Sequence, residues 1–211
     1  EDDQIITSSD TLKKSLLPKF KNVSIIEDPI EIEIQKLKKN RNNNFLFFGH
    51  DTNLKYLFRL IPMWDSSREY NLIIQTSQRG LELIHKQPRF KKPANLTIQL
   101  QLWSIPNMLN VAELVSGIII PGDITDNVKH GVSHNRLITA FALGLPTAAS
   151  KYKSYLEFNN QFADIDNPNE FKSFLLNPTL YSSRVEMAQK KVKQYTKESI
   201  ANKWLNLLEG N

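Results

Sequence analysis

The feature that most constrains the fold is the alternation of short apolar runs with stretches of helical periodicity. From residue 45 onward, runs such as "FLFFG" (45–49), "NLIIQT" (71–76) and "GIIIPGD" (117–123) are separated by helix-prone segments. Continuous apolar runs are typical of strands buried on both faces, and strand–helix–strand alternation requires a parallel sheet. The sequence therefore predicts an α/β fold, a doubly wound and mostly parallel sheet with helices on both faces.

Composition shifts divide the chain into three parts. Residues 1–34 hold two short strand-like runs around a helix-prone stretch, for which Asp10 is the predicted N-cap. Residues 35–44 are charged and Asn-rich, which is typical of a polar linker or exposed loop. Residues 45–211 carry the regular series. There we expect a further strand within residues 162–165 and one long helical stretch over residues 180–208.

Composition also limits the chemistry. The chain has 211 residues, 40% of them hydrophobic, so it can bury a sizeable core. It has no cysteine, which excludes disulfides and thiolate metal sites and favours a reducing compartment. No apolar run approaches the length of a membrane-spanning helix, and we expect a cytoplasmic protein. Because the first residue is not Met, we also expect that the sequence is a fragment of a longer protein. The net charge of +5 favours acidic partners, which are nucleic acid, a membrane surface or a phosphorylated small molecule.

Absent motifs exclude several common classes of enzyme. The sequence contains neither GxGxxG nor GxxxxGK[ST], which disfavours an ordinary NAD enzyme and a P-loop NTPase. It lacks the GxSxG setting of an α/β-hydrolase. The four histidines have no metal-site spacing. His130 and His134 lie four apart, but the predicted helix start falls between them, so we expect no metal site.

Ligands of open parallel sheets bind beyond the carboxyl ends of the strands. This rule selects the stretch "GVSHNRLITAFALGLPTAAS" (131–150), in which a helix is predicted over Ser133–Leu143. The first N–H groups of a helix have no partner inside it, and the helix dipole places partial positive charge there. Ser133, His134, Asn135 and Arg136 therefore form a predicted seat for an anion such as a diphosphate.

Each of these four side chains also has a simpler interpretation. Ser133 and Asn135 are ordinary N-cap residue types, and His134 could simply face solvent. Arg136 could form a salt bridge with a nearby acid. The planar fork of arginine nevertheless matches phosphate well, because it donates two parallel hydrogen bonds.

The same sheet edge selects four further candidates. Gly49 and His50 follow the first buried strand, and a glycine there permits either a tight turn or close approach of a ligand phosphate. Lys55, on the next predicted helix, is a candidate phosphate contact or a solvated lysine. Trp103 follows the strand "TIQLQLW" and could stack on a base or belong to a core or an interface.

Two of these stretches resemble the C-terminal, nucleotide-sugar-binding domain of GT-B glycosyltransferases of the group 1 type. "FLFFGHDTNLKYL" (45–57) is similar to the strand, glycine and polar turn that begin that domain. "SHNRLITAFALGLPTAASKYKSYLEF" (133–158) is similar to a family helix of the type xEAxAxGLPVVAS and the xYxEL piece after it. The resemblance places Tyr155 and Glu157 in the xYxEL piece, where they would either line the cleft or only cap the next element. Residues 1–34 and the final helix resemble the segments that cross between the two GT-B domains.

The chain departs from the family at one functional position. Many retaining members carry two glutamates eight positions apart, and these align here with Gly131 and Thr139. The second glutamate binds the donor ribose in those enzymes, and Thr139 has no carboxylate. The usual ribose contact and the stereochemical outcome are therefore left open.

The resemblance implies the donor-binding half of a hexosyltransferase-like enzyme of polysaccharide biosynthesis, which would move a sugar from a nucleoside-diphosphate sugar to a glycan or related acceptor. Such enzymes bind the donor without a metal, so no cofactor is expected. The missing N-terminal domain would be the partner that brings the acceptor and the general base, and through which the protein could associate peripherally with a membrane. No catalytic residue is assigned, and the fragment alone is expected to be inactive.

Two other interpretations stay open. One is a degenerate GT-B-like binding module that transfers nothing. The other is a basic nucleic-acid-binding α/β domain, although no nucleic-acid partner is expected from the resemblance. Salt dependence separates them, because binding to nucleic acid weakens steeply as the salt concentration rises.

Overall fold

The computed structural model describes residues 4–86, 92–126 and 131–209. The strands within these ranges are β1 (Ile5–Thr7), β2 (Val23–Ile25), β3 (Asn44–Phe48), β4 (Tyr70–Thr76), β5 (Leu96–Leu102), β6 (Gly117–Ile120), β7 (Thr147–Ala149) and β8 (Ala163–Asp164). The helices are α1 (Asp10–Leu16), α2 (Leu54–Leu60), α3 (Gln78–Lys86), α4 (Ile105–Ala112), α5 (Asn135–Ala142), α6 (Pro168–Leu176), α7 (Ser182–Val192) and α8 (Lys197–Leu208).

Six of the strands form one parallel sheet, in the order β5-β4-β3-β6-β7-β8. The chain moves outward from β3 to β5 in one direction, then returns to β6 and moves outward in the other. The switch point of the sheet therefore lies between β3 and β6, and its carboxyl edge is the place where such sheets bind ligands. The strand expected within residues 162–165 is present as β8. The α/β prediction is confirmed.

Alternate residues of the central strands supply the two halves of the core. On β3, Leu46 and Phe48 pack with residues of α4, α5 and α7, whereas Phe45 and Phe47 pack with residues of α2, α3 and α6. Successive side chains of a strand point to opposite faces, so a strand that is apolar throughout must be covered on both. Helices on both faces of the sheet follow directly from the continuous apolar runs in the sequence.

Residues 4–34 form a small unit against the main sheet. β1 and β2 pair in parallel and α1 connects them. The N-cap of α1 is Ser9, whose Oγ accepts a hydrogen bond from the N–H of Leu12 at 3.2 Å, so the prediction of Asp10 as N-cap is wrong by one residue. Asp10 instead lies in the first turn, where a negative charge also suits the helix dipole.

The Asn-rich segment over residues 35–44 is bound to the domain by its own side chains. Asn40 donates to the carbonyls of Glu113 and Val115, and Asn42 donates to that of Leu114, each at 2.9 Å. Carbonyls at the end of a helix lack partners within the helix. Here the side-chain amides of Asn40 and Asn42 bond to the main-chain carbonyls that directly follow α4. The segment is irregular in backbone until Asn44 begins β3.

The stretch over residues 180–208 is not one helix. α7 ends at Val192, a turn of 3-10 helix covers Lys193–Tyr195, and α8 begins after Thr196. Thr196 has an extended backbone (φ −65°, ψ 156°), and its Oγ1 accepts a hydrogen bond from the N–H of Ser199. A threonine N-cap therefore starts a new helix inside an apolar pattern that by itself predicts a continuous one.

Among the helices of the described ranges, none combines the length and apolarity that a membrane-spanning segment needs.

The end of α5 is fixed by Gly144. Its φ of +74° is a left-handed conformation, typical of the residue that follows a helix, and its N–H donates to the carbonyl of Phe141. A Cβ added at Gly144 would lie 2.3 Å from the carbonyl oxygen of Lys36. The backbone conformation and the close approach of the polar segment both require glycine here.

We expect Gly144→Ala to lower the free energy of unfolding by about 2 kcal/mol, because the left-handed conformation alone costs an alanine roughly 1–2 kcal/mol. Urea unfolding monitored by circular dichroism measures this change. Gly131→Ala is the control, because a Cβ there meets only the flexible side chain of Leu12, at 3.2 Å. Equal stability of the two variants would contradict the requirement at Gly144.

Candidate functional site

A cavity of about 400 Å³ opens at the carboxyl edge of the sheet, beside the switch point. Loops that follow β3, β4 and β5 form one side of it, and the first turn of α5 forms the other. Its lining residues are Glu31, Phe48, Gly49, His50, Asn53, Ser77, Trp103, Met108, Asn135, Arg136 and Thr139. The structure thus brings together five of the ten candidate residues from the sequence, namely Gly49, His50, Trp103, Asn135 and Arg136.

Arg136 links α5 to the end of β3. Its Nε and Nη2 both donate to the carbonyl of Phe48, at 3.0 Å and 2.7 Å, and its Cζ lies 5.2 Å from the centroid of the Phe47 ring. The register of β3 with β6 covers Phe45 and Leu46, so the arginine reaches the strand beyond the point where β6 pairs with it. A main-chain carbonyl, and not the salt bridge considered from the sequence, holds the guanidinium.

Arg136 remains a cation that can bind an anion. Burial lowers the pKa of the guanidinium from its usual value, but arginine does not deprotonate in proteins. The group carries five N–H donors, and two of them bond to Phe48, so three have no partner among the described residues and can bind a ligand. Arg136 is partly exposed, and a cation with free donors is a strong partner for phosphate.

Gly49 is the close neighbour of this guanidinium. A Cβ at Gly49 would lie 3.0 Å from Cζ of Arg136, so any other residue would crowd the charge. The N–H of Gly49 donates to the carbonyl of Gln75 at 3.1 Å, which fixes the turn after β3. The glycine therefore has a packing reason that the sequence alone did not give.

The first turn of α5 begins two residues later than predicted. The helix starts at Asn135, and His134 is its N-cap residue without a side-chain capping bond. Ser133 Oγ accepts a hydrogen bond from the N–H of Asn135 at 3.2 Å, so Ser133 stabilises the turn and does not line the cavity. Asn135 lines the cavity, and its Oδ1 accepts a hydrogen bond from Oγ1 of Thr139 at 3.4 Å.

His134 points away from Arg136 into a second cavity of about 360 Å³, which lies between α1 and the region around Glu157. Its ring packs edge-on against Tyr195, with centroids 4.6 Å apart, and its Nδ1 lies 3.7 Å from Oε1 of Glu157. The hydroxyl of Tyr195 donates to both carboxylate oxygens of Glu157, at 2.8 Å and 2.9 Å. His134 and Glu157 thus lie together, but in a different cavity from Arg136.

The pKa of His134 is lowered because burial disfavours the charged ring more than the nearby carboxylates of Glu157, Glu27 and Asp28 favour it. Its Nε2 is buried and has no hydrogen-bond partner among the described residues. The imidazole is therefore neutral in the folded state at pH 7 and adds no positive charge to the start of α5.

Two further candidates do not line either cavity. Tyr155 is buried against Tyr152 and Phe162, and this burial raises the pKa of its hydroxyl. The Nζ of Lys55 lies over the ring of Tyr56, 4.7 Å from its centroid. His130 lies outside the described residues.

Six residues that line the main cavity were not among the ten candidates, namely Glu31, Phe48, Asn53, Ser77, Met108 and Thr139. The polar turn after β4 gave a signal for Ser77, and the motif alignment gave one for Thr139. Glu31 lies more than a hundred residues from Arg136 in sequence, so only the tertiary structure brings the two to one cavity. The described residues contain no cluster of three or more His, Asp or Glu side chains that could hold a metal ion.

The depressed pKa of His134 predicts a pH dependence of stability. The unfolded ring takes up a proton near pH 6.5 more readily than the folded one, so stability is full above that pH and falls as the pH is lowered. We expect the Tm to drop from pH 7.5 to pH 5.5, and to drop less in His134→Gln. The control His85→Gln removes an exposed histidine of α3, and its Tm should depend on pH as the Tm of the wild type does. If the Tm of His134→Gln depended on pH as strongly as that of the wild type, His134 would not be the source of the pH dependence.

Comparisons with known proteins place the fold. No protein-family model matches the sequence, and no curated protein matches it. Solved structures do match. TarM of S. aureus has a TM-score of 0.67 at 16% identity, over 97% of this chain and 43% of its own. An alpha-glucosyltransferase in complex with UDP has a TM-score of 0.66 at 12% identity, over 98% and 66%. The lipopolysaccharide outer core galactosyltransferase WaaB in its apo form has a TM-score of 0.60 at 10% identity, over 99% and 62%.

The chain spans 43% to 66% of the length of these three solved chains. At such low identities the likeness is one of fold. Three findings agree with the resemblance seen in the sequence. They are the strand order of the sheet with its switch point, the cavity at the carboxyl edge of the sheet, and the structural matches over nearly the whole chain. The chain has the Rossmann-like fold of part of a GT-B glycosyltransferase.

Proposed function

We propose that this chain is the donor-binding half of a glycosyltransferase and holds a nucleoside-diphosphate sugar in the cavity at the switch point. The observation that carries the proposal is the position of Arg136. Its guanidinium lies at the end of β3 with free donors, next to a glycine that leaves space and to the first turn of α5. A helix N-terminus and a fixed cation together form a site for a diphosphate.

The chemistry that this arrangement supports is departure of the diphosphate. When the bond between sugar and phosphate breaks, negative charge grows on the phosphate oxygens. Donors that are already aimed at that position stabilise the charge without reorganising, and such stabilisation supplies much of the rate enhancement in many enzymes. The bonds from Arg136 to Phe48 hold the guanidinium in place before the ligand arrives.

The other end of the cavity suits a nucleoside. Trp103 follows β5, lines the cavity and is 40% exposed, so part of the indole is available to contact a base. Met108 and Ser77 add an apolar and a polar contact. UDP is the first nucleotide to test, because the solved alpha-glucosyltransferase with this fold is a complex with UDP.

The finer parts of the proposal follow the family resemblance. The acceptor would be a glycan or related molecule, the donor would be a hexose nucleotide bound without a metal, and the protein would act in polysaccharide synthesis in the cytoplasm. A partner N-terminal domain would bring the acceptor and the general base, with peripheral membrane association through that domain. The chain by itself would bind the donor without turnover.

A degenerate binding module is the second candidate. Its support is that Arg136 already uses two donors on Phe48, that His134 lies in another cavity, and that Gly131 and Thr139 replace the two glutamates. Such a module would bind a nucleotide and transfer nothing. Assaying the longer protein for sugar transfer separates the two candidates, because tight binding without turnover there would favour the module.

We expect Arg136→Ala to weaken UDP binding by ten- to hundredfold, because a hydrogen bond to a charged group contributes about 1.5–3 kcal/mol. Isothermal titration calorimetry with UDP, GDP, CMP and ADP measures this loss and selects the nucleotide. Arg184→Ala is the matched control. Arg184 also donates to a main-chain carbonyl, that of Phe162, and also stacks on an aromatic ring, but it lies outside the cavity.

Equal affinity of the two arginine variants would contradict the donor site. Binding of nucleic acid that falls steeply with salt, in place of nucleotide selectivity, would favour the basic nucleic-acid-binding domain instead. Circular dichroism of Arg136→Ala tests folding, since that variant leaves the Phe48 carbonyl without its arginine.

Gly49→Ala tests the same seat without removing the charge. The added methyl group would crowd Cζ, Nη2 and Nε of Arg136 at 3.0–3.2 Å, so the guanidinium must shift by a few tenths of an ångström. We expect UDP affinity to fall about fivefold, roughly 1 kcal/mol, with little change in Tm. Unchanged affinity would show that the ligand phosphate does not contact this turn.

A further inference from the structure

Glu31 is the only carboxylate among the described residues that line the main cavity. Its side chain is exposed and forms no hydrogen bond or ion pair within the described ranges. It belongs to the segment that precedes the sheet and lies more than a hundred residues from Arg136 in sequence. An unpaired anion and a cation with free donors thus line one cavity.

The backbone fixes Glu31 at the edge of the cavity. Its neighbours Ile30 and Ile32 are 2% and 8% exposed and belong to the core on the α5 side of the sheet. The N–H of Ile30 donates to the carbonyl of Tyr195 at 2.8 Å. Because buried isoleucines flank it on both sides, Glu31 is held outward without needing a side-chain partner of its own.

The charges at the cavity constrain the ligand. A carboxylate repels phosphate, so a ligand that occupies the whole cavity must have its anionic part near Arg136 and a neutral hydrogen-bond donor near Glu31. An ionised carboxylate only accepts hydrogen bonds, and it can accept two at once. Two neighbouring hydroxyl groups match that acceptor, and a nucleotide presents such a pair on its ribose.

Thr139 cannot supply the same contact with equal strength. It lines the cavity one turn into α5, but its hydroxyl donates to Oδ1 of Asn135 and it carries no charge. Hydrogen bonds to an ionised acceptor are about twice as strong as those between neutral groups. Glu31 is therefore the residue of the cavity best suited to bind a pair of hydroxyls.

We propose that Glu31 binds the ribose hydroxyls of the nucleotide, so that the segment before the sheet, and not α5, supplies the carboxylate of the donor site. This inference rests on the proposed function. It makes residues 30–32 part of the ligand site and links nucleotide binding to the position of that segment on the domain.

Calorimetric titration with UDP and 2′,3′-dideoxy-UDP tests the inference. Glu31→Gln is expected to weaken UDP binding about tenfold, because a charged acceptor becomes neutral. The same variant should bind the dideoxy analogue as the wild type does, since that ligand has no hydroxyls to offer. Glu33→Gln is the matched control. Glu33 has the same charge, is also exposed, follows two residues later and does not line the cavity.

Three results would overturn the inference. Glu31→Gln could bind UDP like the wild type, could weaken both ligands by the same factor, or could bind both more tightly, as expected if Glu31 only repelled phosphate. In each case UDP still binds the wild type and the proposed donor site stands. If the folded wild type bound none of the nucleotides, the proposed function and this inference would both fail.

Discussion

The site depends on the bond between the Arg136 guanidinium and the Phe48 carbonyl. β3 borders the switch point of the sheet, and its end lies beside the start of α5. A buried carbonyl there needs a donor, and arginine supplies two N–H groups while keeping three for a ligand. The same contact therefore completes the sheet and sets a charge at its carboxyl edge.

The first turn of α5 faces two cavities. Arg136 and Asn135 line the one at the switch point, and His134 lies in the other with Glu157 and Tyr195. The second group connects the start of α5 to the chain between α7 and α8, and Ser9 adds a bond from the N-terminal unit to the carbonyl of Gly131 at 3.0 Å. The start of α5 is thereby held both by the N-terminal unit and by the chain between α7 and α8.

The elements with the strongest patterns were the ones predicted well. Continuous apolar runs placed the central strands, and the strand expected within residues 162–165 is present as β8. The errors fell where a single polar residue decides the outcome. Ser9 and not Asp10 caps α1, and Thr196 divides a stretch whose apolar spacing suits one long helix. Capping depends on one local hydrogen bond, which periodicity does not register.

For the site, the sequence by itself determined the α/β class, the sheet edge and the presence of Arg136 and Gly49 on it. The reason is that the alternation of strands and helices and the position of a glycine after a strand can both be read along the chain. Only the tertiary structure decided which polar side chains meet. His134 and Glu157 line a separate cavity, and Tyr155 is buried. The tertiary structure also brought Glu31 into the cavity that Arg136 lines. Such groupings arise from packing between segments that lie far apart in the chain. The neighbours of a residue in sequence do not determine which way its side chain points within that packing.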